Sequence, residues 1–151
     1  EALQEIRKYI EEKSKCKNKN CQTIKITQKD KQFIKQNGYC MNCTIDNEHK
    51  IRVEGLWQEY QNYKIWSRMI ILGKIKLDSY RQSLDEVREE YETIGSDGKV
   101  TETWKLPKPV EEVKAEIQEL IEFGENEIKE LEEKKENAFE LLREKGLDSY
   151  L

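Results

Sequence analysis

Apolar and small residues fall into two long stripes. From Trp66, the series Trp66, Ile70, Gly73, Leu77, Tyr80, Leu84, Val87, Tyr91 and Ile94 advances in alternating steps of four and three. A second series, Ile117, Ile121, Gly124, Ile128, Leu131, Lys135, Ala138 and Leu142, advances the same way. Such steps keep one helix face apolar, and over about four heptads they make a coiled-coil seam. The first stripe predicts a long helix over 46–95, with Gly55 as a point of interruption and Gly95 as its stop. The second predicts a helix over 110–151, entered after Pro107–Pro109. It stops at Gly146, with Leu147 supplying the usual contact after the glycine.

Run antiparallel, the stripes mesh with Trp66 facing Leu142, Ile70 facing Ala138 and Leu77 facing Leu131. In that register Gly73 accommodates the stem of Lys135, Tyr80 meets Ile128, and Leu84 meets Gly124. The rival is a shift by one heptad, which brings 77 to 124 and sets Trp66 opposite Lys135, leaving Leu142 stranded. The first register is the expected one.

The remainder reads in shorter pieces. Residues 1–13 form an amphipathic helix with Leu3, Ile6 and Ile10 on one face. "TIKIT" (23–27) alternates as a short strand would, with Ile24 and Ile26 on one side. Thr27 followed by Asp30 is a capping-box variant that opens a helix, and Gly38 is a good stop for it. Phe33, Ile34 and Tyr39 supply a miniature core. The stretch 96–109, "SDGKVTETWKLPKP", is longer than most helix connections and carries an Asp-Gly turn. It reads as a tip loop or a short β-hairpin, with Val100, Trp104 and Leu106 alternating. Asp97 and Trp104 are its candidate contact residues; the competing role for Trp104 is to staple the helix ends.

Within this frame sit all four cysteines: Cys16 and Cys21 as C-x4-C, Cys40 and Cys43 as C-x2-C, with eighteen residues between the pairs. Two such knuckles joined by a short structured segment are what a tetrahedral four-thiolate site needs. A structural Zn2+ ion is the expected cofactor, and four thiolates leave it no open position for catalysis. Two other readings compete. Cys40-Met-Asn-Cys43 has the spacing of a dithiol redox motif, but lacks the βαβ setting. Paired disulfides suit a secreted miniprotein better than a Lys/Glu-rich helical chain. His49, the one histidine, is a spare ligand at most, expected in the first turn of a helix.

"CKNKNCQTIKITQKDKQFIKQNGYCMNC" resembles the zinc-ribbon and treble-clef class of four-cysteine modules over residues 14–43. Its first pair is spaced more widely than is usual there. The resemblance implies a module that binds nucleic acid or protein.

Composition sharpens this picture. Charged residues make up 38% of the 151, hydrophobic ones 36%, and the net charge is −4. The charge is unevenly shared. From Lys13 to Cys43 there are eight Lys against one Asp; from Val110 to Lys145, thirteen Glu against six basic residues. A basic head therefore precedes an acidic shaft, and the head is the part expected to meet an anionic partner. Lys13, Lys15, Lys17, Lys19, Lys25 and Lys29 are its candidate contacts. No Arg lies between 13 and 43, so phosphate contact is expected there rather than base readout. "LWQEYQNYKIW" (56–66) brings four aromatics, expected to pack beneath the head and the first helix; stacking on bases is the alternative.

The expected fold class is mainly α: a small four-cysteine zinc module (14–45) followed by a long antiparallel coiled-coil helical hairpin. No apolar run approaches the roughly 20 residues that span a bilayer. A cytoplasmic location, no membrane contact and no secretory leader are the expectations. No phosphate-cradling glycine loop or catalytic triad spacing occurs, so no enzyme and no small-molecule substrate are expected. The expected role is a zinc-binding adaptor contacting nucleic acid or a nucleic-acid-associated complex, with room for a homodimer. A zinc module plus hairpin is similar in shape to the secondary-channel regulators of bacterial RNA polymerase, with the module order reversed and only Asp97 and Glu102 as tip acids. The alternative is an assembly protein that uses the coiled coil as a docking rod.

Overall fold

The structure, a computed structural model, describes residues 2–151. Five α-helices and a two-stranded sheet follow one another along these residues: α1 (Ala2–Lys13), α2 (Gln28–Asn37), α3 (Met41–Val53), α4 (Trp57–Glu86), β1 (Glu90–Ile94), β2 (Val100–Lys105) and α5 (Val110–Glu144). A short 3-10 turn over Asp148–Tyr150 closes the series. No helix among the described residues is long and apolar enough to cross a membrane. The chain divides into two compact units. One runs up to Lys64 and takes in Asn137–Leu151; the other is Ile65–Glu136.

In the first unit, glycines end the helices where left-handed backbone is needed. Gly38 (φ 79°) donates its N–H to Ile34 O at 2.8 Å and stops α2. Gly55 (φ 74°) and Leu56 stop α3: their amides reach Arg52 O and Ile51 O, the paired bonds of a Schellman motif. The same motif recurs after α5, where Gly146 N–H reaches Arg143 O and Leu147 N–H reaches Leu142 O, each at 2.9 Å. Leu56 and Leu147 then turn inward. Ile51, Tyr60, Leu142 and Leu147 form one buried cluster, flanked by Trp57, Tyr63 and Tyr150. Leu142 is fully buried, which contributes about 2 kcal/mol.

Trp57, Tyr60 and Tyr63 of the aromatic stretch thus pack against Ile51 of α3 and the chain around Leu142–Leu151. α1 takes no part in that cluster, since Leu3, Ile6 and Ile10 all lie exposed. The expected strand at 23–27 is an irregular bend. Thr23 turns toward sulfur and Ile26 toward the cysteines, while Ile24 is fully exposed. A lone strand has no ladder partner here, so local side-chain contacts decide its path. His49 lies in the third turn of α3, exposed, rather than in a first turn.

In the second unit, Ile70, Leu77 and Ile128 form a buried cluster with Tyr80 and Leu131 against it. Lys74 pairs with Glu132 at 2.8 Å and Arg81 with Glu125 at 2.7 Å, so here the two helical segments run in opposite directions. Their register departs from the expected one. A Cβ on Gly73 would lie 3.2 Å from the Ile128 side chain, and one on Gly124 only 2.6 Å from Leu77 Cδ2. Gly73 thus receives Ile128 rather than Lys135, and Leu77 sits over Gly124 rather than facing Leu131. These are the pairings of the one-heptad shift. Each glycine hollow takes a branched apolar side chain, a tighter use of the space than a lysine stem. The objection to that register, a stranded Leu142, does not arise because Leu142 is buried in the first unit.

The helix expected over 46–95 is two helices, α3 and α4, and α4 ends at Glu86. Tyr91 and Ile94 extend the four-three spacing but belong to β1. Tyr91 pairs across the sheet with Trp104, their rings stacked at 4.5 Å and 13°. Three glutamates among residues 89–92 would crowd one another on a helix, whereas in the hairpin Glu90 pairs with Lys105 at 2.7 Å. The turn closes on Gly98 (φ 77°), with Gly95 N–H reaching Lys99 O at 2.8 Å and a register shift at Thr93/Ile94.

Candidate metal centre

The four cysteines arrive from two directions. Cys16 and Cys21 bracket a loop that Asn18 builds: its carbonyl accepts Cys21 N–H at 3.1 Å and its Oδ1 accepts Asn20 N–H at 3.0 Å. Cys40 is the N-cap of α3 and Cys43 lies in its first turn. The link between the knuckles is α2, whose start is a full capping box: Thr27 Oγ1 accepts Asp30 N–H, and Asp30 Oδ2 accepts Thr27 N–H at 2.9 Å. Asp30 Oδ1 also accepts Met41 N–H at 3.1 Å. One buried carboxylate therefore fixes the start of α2 to the second knuckle, and these three donors hold it below the ordinary carboxylate range, the Thr27 hydroxyl foremost.

All four Sγ atoms lie within 4.8 Å of one another, Cys21 and Cys40 at 3.6 Å, and all four thiols are free. An ion held tetrahedrally by four thiolates at about 2.3 Å sets the sulfurs about 3.8 Å apart, so the cluster fits with small adjustments. Cys40 and Cys43 are buried, Cys16 and Cys21 half-buried, with Ile34, Ile26 and Tyr39 packed around them. Four cysteines could therefore hold a metal ion here.

Polar groups aimed at the sulfurs suit a negatively charged cluster. Asn18 Nδ2 donates to Cys43 Sγ at 3.2 Å, Cys40 N–H to Cys16 Sγ at 3.3 Å, and the Thr23 hydroxyl lies 3.3 Å from Cys40 Sγ. The α3 N-terminus adds its partial positive charge. Thr23, by hydroxyl and then by amide, lowers the Cys21 thiol to about 7. Burial raises Cys16 and pushes Cys43 up to about 12. In the metal-free cluster one thiolate forms first, and an incoming cation must expel the remaining protons.

Asn18 and Thr23 were not singled out by sequence, although an Asn inside a cysteine knuckle and a Thr two residues past one are legible signals. Of the candidate lysines, Lys13, Lys15 and Lys17 line one cavity together with Lys35 and Lys64; Lys19, Lys25 and Lys29 lie outside it, exposed. At the tip, Asp97 Oδ1 accepts Lys99 N–H at 3.1 Å and so shapes the turn, and one face of Trp104 is occupied by Tyr91.

No protein family matches the chain, and no curated protein or solved structure was found to resemble it.

Proposed function

We propose that this chain is a non-enzymatic zinc-binding adaptor. Cys16, Cys21, Cys40 and Cys43 hold a structural Zn2+, the basic head contacts nucleic acid, and α4 and α5 form an antiparallel coiled-coil hairpin that presents the β1–β2 tip. The observation that carries the reading is the convergence of four thiols from two knuckles, each approached by N–H or O–H donors. Zinc is the metal suited to such a closed, redox-inert thiolate site, where it contributes folding free energy rather than chemistry. The lysines around the first knuckle offset the two negative charges that four thiolates leave on a divalent ion. They also supply the clustered positive charge that phosphate contact needs.

Binding of the zinc-loaded chain to single- or double-stranded DNA or RNA, followed against salt, tests the proposal. Retention should fall steeply with salt. Replacing Lys15, Lys17 and Lys19 by Gln should flatten the slope by roughly one per lost phosphate contact, alike for all sequences. Absence of retention at low salt removes the nucleic-acid partner. A second reading, an assembly protein, is favoured by the exposed Leu3, Ile6 and Ile10 of α1 and would then lead.

A further inference from the structure

Beside the cysteine cluster, a cavity of about 300 Å³ is walled by Lys13, Lys15, Lys17, Lys35 and Lys64. They come from three places: the end of α1 with the first knuckle, the last turn of α2, and α4. Glu12 is the one acidic residue of the lining. The C-termini of α1 and α2 each bring roughly half a negative charge, so the lining's side chains and these helix ends together sum to about three positive charges; Leu151 completes the lining. None of the five lysines forms an ion pair with a carboxylate among the described residues. Lys64 bears the strain most visibly: burial first, then repulsion from Lys17, holds its ammonium below the ordinary lysine range, with Glu48 opposing.

The wall is also held in place. Lys17 N–H donates to Gly38 O at 2.9 Å, and the Lys17 stem crosses Gly38 so closely that a Cβ there would lie 2.6 Å from Cε. Gly38 is thus needed both for its left-handed backbone and for the passage of Lys17. Like charges assembled and held in this way are relieved by an anion. The chemistry of the wall narrows which one. It offers compact ammonium donors but no Arg fork for a carboxylate and no aromatic face for a base. Its volume lies at the lower end for ligand cavities.

We propose that this cavity is a phosphate-binding site that receives a terminal phosphate monoester, the phosphorylated end of a nucleic-acid strand. The proposal rests on the nucleic-acid reading above for its source of phosphate and adds to it a defined seat. A terminal phosphate can enter a cavity alone and carries close to two negative charges at neutral pH, where a backbone diester carries one.

The test compares one short single-stranded oligonucleotide with a 5′-phosphate and with a 5′-hydroxyl, each titrated into the zinc-loaded full chain, with inorganic pyrophosphate as a third probe. The phosphorylated strand should bind roughly tenfold tighter, the gain expected of added charge-assisted contacts. The gain should vanish in Lys35→Gln/Lys64→Gln and persist in Lys129→Gln/Lys134→Gln, two exposed lysines of the other unit, with zinc content unchanged. The exposed Lys35→Gln alone, expected to lose part of the gain, keeps the test decisive if Lys64→Gln does not fold. Equal binding of the two strands overturns the cavity site and leaves the basic-head reading standing. Binding of pyrophosphate without either strand keeps the phosphate site but removes the strand and the reading it rests on. Binding of none overturns both.

Discussion

Asp30 Oδ1 accepts the backbone N–H of Met41 at 3.1 Å, while its other oxygen accepts both the N–H and the hydroxyl of Thr27. A carboxylate that opens one helix thereby holds the residue between the two cysteines of the second knuckle. Asp30→Asn turns a donor toward one of these donors, so the variant should yield its metal to a competing chelator faster than the parent at neutral pH. The pH dependence has a definite sign. The folded-state value of Asp30 lies below the ordinary 3.8. Its stabilisation is therefore present above that ordinary value and is lost as pH falls through the folded value. The gap in stability between parent and variant should be constant near neutral pH and close at strong acidity. An equal chelator rate in the two proteins would remove Asp30 from the account.

The register of the second unit can be read by a double-mutant cycle. Gly124→Leu places bulk where Leu77 Cδ2 now lies and should cost about 1–3 kcal/mol in chemical denaturation. Adding Leu77→Ala should recover part of that loss, a coupling of about 1 kcal/mol between residues in contact. The same cycle between Gly124 and Leu84 should show none. Coupling to Leu84 instead of Leu77 would restore the pairing expected from sequence.

Trp104→Ala should abolish the exciton signature of its stack on Tyr91 in near-ultraviolet dichroism and cost the hairpin about 1 kcal/mol. Zinc content and salt-dependent nucleic-acid retention should be unchanged, because the pair belongs to the unit that lacks the cysteines and the five-lysine cavity. A fall in either would give the tip a part in the function assigned to the head.

The contrast between what the sequence revealed and what it hid has a physical basis. The four cysteines, the Thr27–Asp30 box and the glycine stops at 38 and 146 were legible because each depends on residues close in sequence. The two stripes were legible as buried faces too, since Ile70, Leu77, Ile121, Ile128, Ala138 and Leu142 are all buried. Their register was not. Four-three spacing repeats every heptad, and the objection that misled, a bare Leu142, required knowing that Ile51 and Tyr60 would cover it. The end of α4 was hidden for a similar reason. Tyr91 satisfies the heptad, but its stack on Trp104 depends on a pairing thirteen residues away. The lysine cavity joins 13–17 to 35 and 64, a convergence that charge counting along the chain cannot reveal.

The central claim is a closed four-thiolate metal centre, and X-ray absorption at the zinc edge on the purified full chain measures it directly. About one zinc per chain with four sulfur ligands at about 2.3 Å is the predicted result. Cys40→Ser should lose the metal while the helicity of α4 and α5 persists. A chain that carries no zinc and titrates four free thiols, or a zinc shell completed by nitrogen or oxygen, would contradict it.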